Sequence, residues 1–274
     1  IGQRALDIRR TTSFAQPKQM SVCHHAATEI YPIDAWARSY LPGGSRAGSP
    51  SLSRRILVVA AHTDDEALGC GGTIARHVAE GDTVNAVFLT DGLSSRPDQS
   101  GTDLDDRVRA AREAHAILGI SEVNYLDFPD NQMDGVVLLE VVRALERILS
   151  AFEPEVIYTH HSGDLNVDHR VTHEAVMTAC RPMPDHHVRE VYTFEIMSST
   201  DWASPTSSQF LPVLYIDISG YIDLKLRALA AYGLELRDEP HSRSLSHLEH
   251  LARHRGHTVG LHAAEAFMVM RALH

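Results

Sequence analysis

Four residues that could bind a metal ion or transfer a proton follow one apolar run of the chain. They are His62, Asp64, Asp65 and Glu66, and the run before them, Ile56 to Ala60, predicts a buried strand. Burying charged side chains is costly unless they are paired or bound to a metal. Ligands of open α/β sheets bind at the carboxyl ends of strands. The sequence therefore predicts a functional site where this strand ends.

The spacing of these residues suits a zinc ion. A catalytic zinc takes three protein ligands, commonly imidazole nitrogens and carboxylate oxygens, and keeps one position open. His62 and Asp65 lie three residues apart at a predicted strand-to-helix turn, so both side chains could reach one ion. Asp64 would then be available as a general base toward the attacking water.

The same acids could instead cap the helix that follows. Negative charge in the first turn of a helix is stabilised by the helix dipole. One acid would suffice for a cap, whereas this stretch has three acids after a histidine. The residue types alone leave both interpretations open. Glu66 is assigned to the helix start or to support of the ligands, not to the metal.

A third ligand is expected from the loop that follows the fourth predicted strand. His169 is the preferred candidate, and the adjacent Asp168 could orient a metal ligand through a hydrogen bond. Three other histidines near this loop compete with it, namely His160, His161 and His173. Because this loop also follows a strand, it is expected at the same edge of the sheet as the first motif.

The elements that must position these residues alternate between strand and helix, which predicts an α/β fold with a mainly parallel central sheet flanked by helices. A Pro-, Gly- and Ser-rich stretch from Pro42 to Ser53 predicts a linker. It divides the chain into an irregular arm, residues 1–53, and a folded domain, residues 54–274. The predicted strands are Ile56–Ala60, Thr83–Leu89, Val123–Phe128, Glu155–Thr159, Val188–Glu195 and Val213–Ile218, with Ala266–Arg271 a strand or short helix. The predicted helices are Glu66–Glu80, Asp103–Leu118, Val136–Phe152, Asp168–Ala179, Ile222–Leu236 and Arg243–Arg255.

Two motifs in this order carry a resemblance to a known family. A strand followed by A-H-x-D-D-E and G-x-G-G-T, and later D-L-N-x-D-H-R, resembles the PIG-L or LmbE-like family of zinc-dependent N-deacetylases. The resemblance runs from about Arg54 to the C-terminus. Supporting segments are L-T-D-G from Leu89, L-D-F-P-D from Leu126, S-S-T-D-W from Ser198, P-H-S-R-S from Pro240 and A-E-A-F from Ala264.

The resemblance implies a Rossmann-like domain that binds one zinc ion per chain through His62, Asp65 and His169. Asp64 matches the family's general base, and Asp168 matches the acid paired with a metal histidine. The implied activity is hydrolysis of the N-acetyl group of an amino sugar, often a GlcNAc-like group, in a glycoconjugate or small glycoside. The implied partner is that substrate.

Further residues are placed by the resemblance as substrate contacts, namely Arg107, Asp130 and Asp91. Many family members have a histidine where this chain has Asn166. Asparagine can donate a hydrogen bond to an oxyanion but cannot act as a general acid near neutral pH. The proton for the leaving amine is therefore expected from Asp64 or from His241, which could alternatively be a helix-entry residue ahead of a serine cap.

The family also usually has proline where this chain has Thr63. Threonine can adopt the extended backbone that proline would impose, so the ligand geometry is expected to survive.

Bulk properties restrict the class of protein. The chain has 274 residues, a net charge of −11 and three cysteines without paired spacing. The negative charge argues against non-specific nucleic-acid binding, which needs a positive surface. The cysteine pattern fits a reducing compartment, and no apolar run is long enough for a membrane span. We therefore expect a cytoplasmic protein, and the sequence leaves a homo-oligomer open.

Two other functions fit the same residues. An amidase could cleave another N-acyl group or a thiol-conjugate amide at the same site. A non-catalytic carbohydrate-binding protein could retain the fold, although the complete His62, Asp64, Asp65 and His169 set argues against it. A dinucleotide-dependent oxidoreductase is disfavoured because the G-x-G-x-x-G spacing is absent from the glycine-rich stretch after the first motif.

Overall fold

A computed structural model describes residues 53–90 and 101–273, with residues 101–105 described by their backbone only. The strands are β1 Arg55–Ala60, β2 Thr83–Thr90, β3 Glu122–Phe128, β4 Val156–His160, β5 Glu190–Phe194, β6 Leu214–Asp217 and β7 Ala264–Ala272. The helices are α1 Asp65–Ala79, α2 Gly101–Leu118, α3 Leu138–Phe152, α4 Val167–Ala179, α5 Ile222–Ala231 and α6 Leu245–His257. The predicted arm lies almost wholly outside the described residues, so its boundary at residue 53 stays a prediction.

The seven strands form one sheet in the order β3-β2-β1-β4-β5-β7-β6. The first five are parallel to one another, whereas β7 runs antiparallel to both β5 and β6. The predicted α/β, Rossmann-like fold with a mainly parallel sheet is confirmed. The strand order reverses between β1 and β4, which pair directly. Such a switch point opens a crevice at the carboxyl ends of the strands, so the loops after β1 and β4 meet there.

Helices cover both faces of the sheet, which explains why the central strands are apolar throughout. Alternate residues of β1 contribute to different cores: Ile56 and Val58 pack into one cluster, and Leu57 and Val59 pack into the other. All four side chains are almost completely buried. A strand buried on both faces lacks the polar alternation of a half-exposed strand. The site therefore follows a strand that is buried on both faces of the sheet.

Helix α1 is interrupted at Cys70, whose backbone is non-helical at φ −147° and ψ 24°. The neighbouring glycines allow close packing there, because a Cβ on Gly69 would overlap the ring of Phe194 and one on Gly72 would lie 2.7 Å from Ile218. The glycine-rich stretch thus serves helix–sheet packing, and the sequence did not support a nucleotide-binding role for it.

A buried ion pair satisfies the backbone groups that this interruption leaves free. Glu265 on β7 accepts hydrogen bonds from the backbone N–H groups of Gly72 at 3.0 Å and Thr73 at 2.7 Å. Lys225 on α5 donates to Glu265 and to the carbonyl of Leu68 at 2.8 Å. One carboxylate and one ammonium therefore cap the two halves of α1.

The ends of the predicted elements agree with the structure within two residues, apart from the end of α5. That helix was expected to continue to Leu236 but ends at Ala231. Gly233 lies two residues further on, and glycine costs about 1 kcal/mol relative to alanine inside a helix. The last element is a strand, not a helix. In the part of the chain that the structure describes, no helix is both long and apolar enough to cross a membrane.

Candidate metal centre and active site

The turn between β1 and α1 holds the first motif in a defined conformation. The backbone N–H of His62 donates to Asp65 Oδ2 at 2.8 Å, and that of Asp64 donates to Glu66 Oε2 at 3.1 Å. Asp64 occupies the N-cap position of α1 with φ 108° and ψ −29°. A non-glycine residue in this left-handed region is strained, and such strain clusters at functional sites.

Three predicted ligands converge at this turn. Nδ1 of His62 lies 3.3 Å from Oδ2 of Asp65, and Nε2 of His169 lies 3.4 Å from Oδ1 of Asp65 and 3.3 Å from Nδ1 of His62. The Oδ1 atom of Asp65 is buried and receives no hydrogen bond from any residue that the structure describes. Two imidazole nitrogens and a carboxylate oxygen facing one point form a candidate site for a divalent cation.

The three competing histidines have other partners. His160 accepts a hydrogen bond from the backbone N–H of Ala61 at 2.9 Å, which occupies the lone pair of its Nε2. His161 donates to a backbone carbonyl at 2.7 Å, and Nδ1 of His173 donates to the carbonyl of His160 at 2.9 Å. Burial, together with the adjacent His169, lowers the pKa of His160 to about 4. Nε2 of His160 also lies 3.3 Å from Oδ2 of Asp65, but of these four histidines His169 is the one that contacts both Asp65 and His62.

The predicted acid Asp168 contacts a metal-site histidine, and that histidine is His62. Its Oδ2 lies 3.1 Å from Nε2 of His62, and it also accepts hydrogen bonds from the backbone N–H groups of Asn131 and Met133. Asp130, a predicted substrate contact, lies 3.1 Å from the same nitrogen. Burial lowers the pKa of His62, but these carboxylates outweigh it and raise the pKa well above 6.5. A donated Nε2–H leaves Nδ1 facing the candidate cation site.

Asp164 supports His169 in the same way, and the sequence did not single it out. Its Oδ1 lies 3.1 Å from Nδ1 of His169. The hydroxyl of Ser199 donates to Oδ1, and that of Thr200 donates to Oδ2 at 2.6 Å. Burial alone would raise the pKa of Asp164, but His169 and the two hydroxyls hold it well below its usual range. Asp164 is the first residue of the D-L-N-x-D-H-R motif, and that was the available signal.

Asp64 forms an ion pair with Arg243, a second contact that the sequence did not reveal. Nη1 of Arg243 lies 3.0 Å from Oδ2 of Asp64, and its Nε donates to the carbonyl of Met197 at 3.2 Å. Burial raises the pKa of the Asp64 carboxyl to about 8, and Arg243 acts in the opposite direction. Arg243 therefore holds the carboxyl beside the candidate cation site, and the raised pKa makes this carboxylate a stronger proton acceptor.

Glu66 anchors the start of α1 from the interior. Besides the backbone N–H of Asp64, it accepts a hydrogen bond from the hydroxyl of Tyr232 at 2.7 Å, and Nε2 of His115 lies 3.4 Å from it. This carboxylate is completely buried. Its contacts agree with a supporting role.

The remaining predicted residues have local partners. Asn166 caps α4 by accepting from the backbone N–H of Asp168 at 2.8 Å, and its Nδ2 donates to Asn131 at 3.3 Å. His241 accepts from the backbone N–H of Arg243 at 3.0 Å.

Arg107, a predicted substrate contact, pairs with Glu235 at 2.8 Å. Asp91 lies outside the described residues, so its predicted role is unchanged.

Two histidines and two aspartates thus meet at the switch point of a Rossmann-like sheet, the place where ligands of this fold bind. Residues 57–180 match the model of the PIG-L family, described as GlcNAc-PI de-N-acetylase. The chain belongs to this family. It is accordingly a deacetylase, which hydrolyses an amide, as the sequence predicted.

Three known proteins illustrate the relationship. The uncharacterized deacetylase YaiS of Escherichia coli is 33% identical over 188 residues, covering 66% of this chain and 91% of that protein. The 1D-myo-inositol 2-acetamido-2-deoxy-alpha-D-glucopyranoside deacetylase of Saccharomonospora viridis is 30% identical over 238 residues, covering 70% and 88%. The crystal structure of the conserved protein TT1542 from Thermus thermophilus superposes with a TM-score of 0.64 at 25% identity, covering 80% and 96%.

Proposed function

We propose that this deacetylase is zinc-dependent, binds one zinc ion per chain through His62, Asp65 and His169, and removes the N-acetyl group of a GlcNAc-like sugar in a glycoside or glycoconjugate. The observation that carries the proposal is the convergence of these three side chains at 3.3 to 3.4 Å beside the Asp64 carboxyl. The orphaned Oδ1 of Asp65 supports cation binding. The relative that acts on an inositol-linked acetamido-glucopyranoside supports the substrate class.

Zinc, when bound, supplies Lewis-acid polarisation of the acetyl carbonyl and lowers the pKa of water. Asp64 accepts the proton of the attacking water, and Arg243 holds its carboxylate in place at 3.0 Å. As the C–N bond breaks, Asp64 returns this proton to the sugar nitrogen, which leaves as an amine. Nδ2 of Asn166 donates one N–H to Asn131, and its second N–H could donate to an oxyanion.

The base assignment is tested with the Asp64→Asn protein, prepared with zinc bound. We expect acetate release to fall by at least about 10²-fold, in line with loss of general base catalysis, while zinc content is unchanged. Activity equal to that of the wild-type protein would refute the assignment. In His241→Gln, a comparable loss of kcat at unchanged KM would move the acid step to His241.

The ligand assignment is tested by metal analysis. We expect His169→Ala to lose zinc, whereas His161→Ala, a nearby histidine that bonds to a backbone carbonyl, should keep one zinc per chain. Full zinc occupancy in His169→Ala would contradict the assignment.

A substrate panel separates the sugar deacetylase from the alternative amidase. It contains N-acetylglucosaminyl-inositol, N,N'-diacetylchitobiose, an N-butanoyl analogue and an N-acetylcysteine conjugate. Acetate release from the first two supports the proposal. Exclusive cleavage of the thiol conjugate would favour the alternative.

A further inference from the structure

Trp202 is a large aromatic side chain that the structure leaves 53% exposed. Its ring meets the ring of His241 edge to face, with centroids 5.2 Å apart. Large aromatic side chains bury much apolar surface when they can, so an indole left open to solvent at one position is a candidate contact for a ligand.

The segment that carries Trp202 is fixed to one side of the candidate metal centre. Ser199 and Thr200 donate their hydroxyls to Asp164, which lies 3.1 Å from the metal-site His169. Trp202 follows Thr200 by two residues, which is at most about 7 Å of chain. The indole is therefore close to the His169 side of the centre.

The ring that packs against Trp202 is fixed to the opposite side. His241 accepts a hydrogen bond from the backbone N–H of Arg243, whose guanidinium lies 3.0 Å from the Asp64 carboxylate. Two residues separate His241 from Arg243, again at most about 7 Å of chain. The Trp202–His241 pair thus joins the segment that supports His169 to the segment that carries Arg243.

The exposed indole of Trp202 indicates which kind of group binds there. Its flat apolar face suits a ring that has an apolar face of its own. A neutral pyranose has an apolar C–H face that stacks on an indole and hydroxyls that can bond to polar neighbours.

We infer that Trp202 and His241 form a second sugar subsite, which binds a neutral pyranose ring linked to the N-acetylated sugar. This inference rests on the proposed sugar deacetylase function and narrows its substrate to glycosides of at least two rings.

Fluorescence gives a direct test, because the sequence contains two tryptophans, Trp36 and Trp202. In an Asp64→Asn, Trp36→Phe protein with zinc bound, emission comes from Trp202 alone and turnover is prevented. We expect N,N'-diacetylchitobiose to change this emission with saturation, and N-acetylglucosamine to bind about tenfold more weakly, the equivalent of one aromatic contact. Binding of the disaccharide by calorimetry without any change of emission would overturn the inference.

Kinetics provide an independent test in proteins that retain Asp64. For Trp202→Ala we expect KM for diacetylchitobiose to rise about tenfold with kcat nearly unchanged, because the lost contact stabilises the substrate and transition state equally. We divide kcat/KM for the disaccharide by kcat/KM for the monosaccharide, and this quotient should also fall about tenfold. Trp202→Phe keeps a flat ring and should recover most of the loss, with zinc content measured in both variants.

The outcomes separate the inference from the function on which it rests. Unchanged kinetics in Trp202→Ala, with both sugars still deacetylated, would refute the subsite and leave the deacetylase proposal intact. If the wild-type protein neither binds nor deacetylates any N-acetylated sugar, the proposed function fails and the subsite fails with it.

Discussion

The backbone conformation of Asp64 predicts strain at the candidate active site, and stability measurements can test it. Its φ of 108° lies in the left-handed region, where a Cβ is disfavoured and glycine is not. We compare Asp64→Gly with Asp64→Ala. Both variants lose the carboxylate and its ion pair with Arg243, so these losses cancel when the two stabilities are compared. The remaining difference in stability comes from the backbone conformation of residue 64.

The magnitude follows from two opposing effects. A non-glycine residue in a sparsely populated region costs about 1 to 3 kcal/mol. Glycine lowers the free energy of unfolding by about 0.4 to 1 kcal/mol relative to alanine, because it gives the unfolded chain more conformational freedom. The difference leaves Asp64→Gly more stable than Asp64→Ala by about 1 kcal/mol, the reverse of the usual order inside a helix.

Urea unfolding of the two metal-free proteins in the presence of a chelator measures this difference. The chelator is needed because bound metal would stabilise the folded state by mass action. Ala230→Gly, at an exposed position of α5, serves as the control, and we expect it to lose about 0.5 to 1 kcal/mol. Equal m-values in all variants would show that the unfolded states are comparable.

One result would refute the reasoning. If Asp64→Ala is as stable as Asp64→Gly, or more stable, while the control behaves as expected, the turn does not hold strain at this residue. Both variants should be inactive in either case, because both lack the proposed base.

Three further predictions concern the surroundings of the site. Neighbouring carboxylates outweigh burial and raise the pKa of His169 to about 8. In the unfolded chain this pKa is about 6.5, so protonation of His169 stabilises the folded, metal-free protein by about 2 kcal/mol below pH ~6.5. This stabilisation is lost as the pH rises through about 8. Urea midpoints across this range check it, with His169→Ala as the flatter comparison. Gly72→Ala should cost about 1 to 3 kcal/mol through overpacking, whereas Gly220→Ala, with no atom within 4 Å of its Cβ, should cost little in the same urea assay. Lys225→Met should cost about 3 to 5 kcal/mol by leaving Glu265 buried without its cation, and adding Glu265→Gln should recover part of this loss of stability in thermal unfolding.

The spacing of apolar residues was enough to predict most of the helices and strands, because each of them has its own local pattern. Strand β1 reads as an unbroken apolar run and α1 follows it with small residues, and both were predicted within a residue of their ends. The end of α5 was misplaced because its apolar pattern continues past Gly233. The strand β7 was left undecided, since a short apolar segment fits a strand or a helix equally.

The site was predictable where its residues sit in motifs and unpredictable where they act across the fold. His62, Asp65 and His169 follow two strand ends, and the parallel sheet brings them together. Arg243 lies 179 residues from Asp64 in the chain, so no local pattern connects them. Asp164 lay within a recognised motif, but its hydroxyl partners come from another loop.

Glu265, the carboxylate that caps the second half of α1, is synthesised much later than the helix that it caps. Glu265 follows Gly72 by 193 residues, which takes about 10 to 40 s to synthesise at ~5–20 residues per second. A nascent chain therefore exposes His62 and Asp65 long before the strand that completes the helix behind them leaves the ribosome. A chain that ends before β7 therefore lacks the carboxylate that accepts hydrogen bonds from the second half of α1.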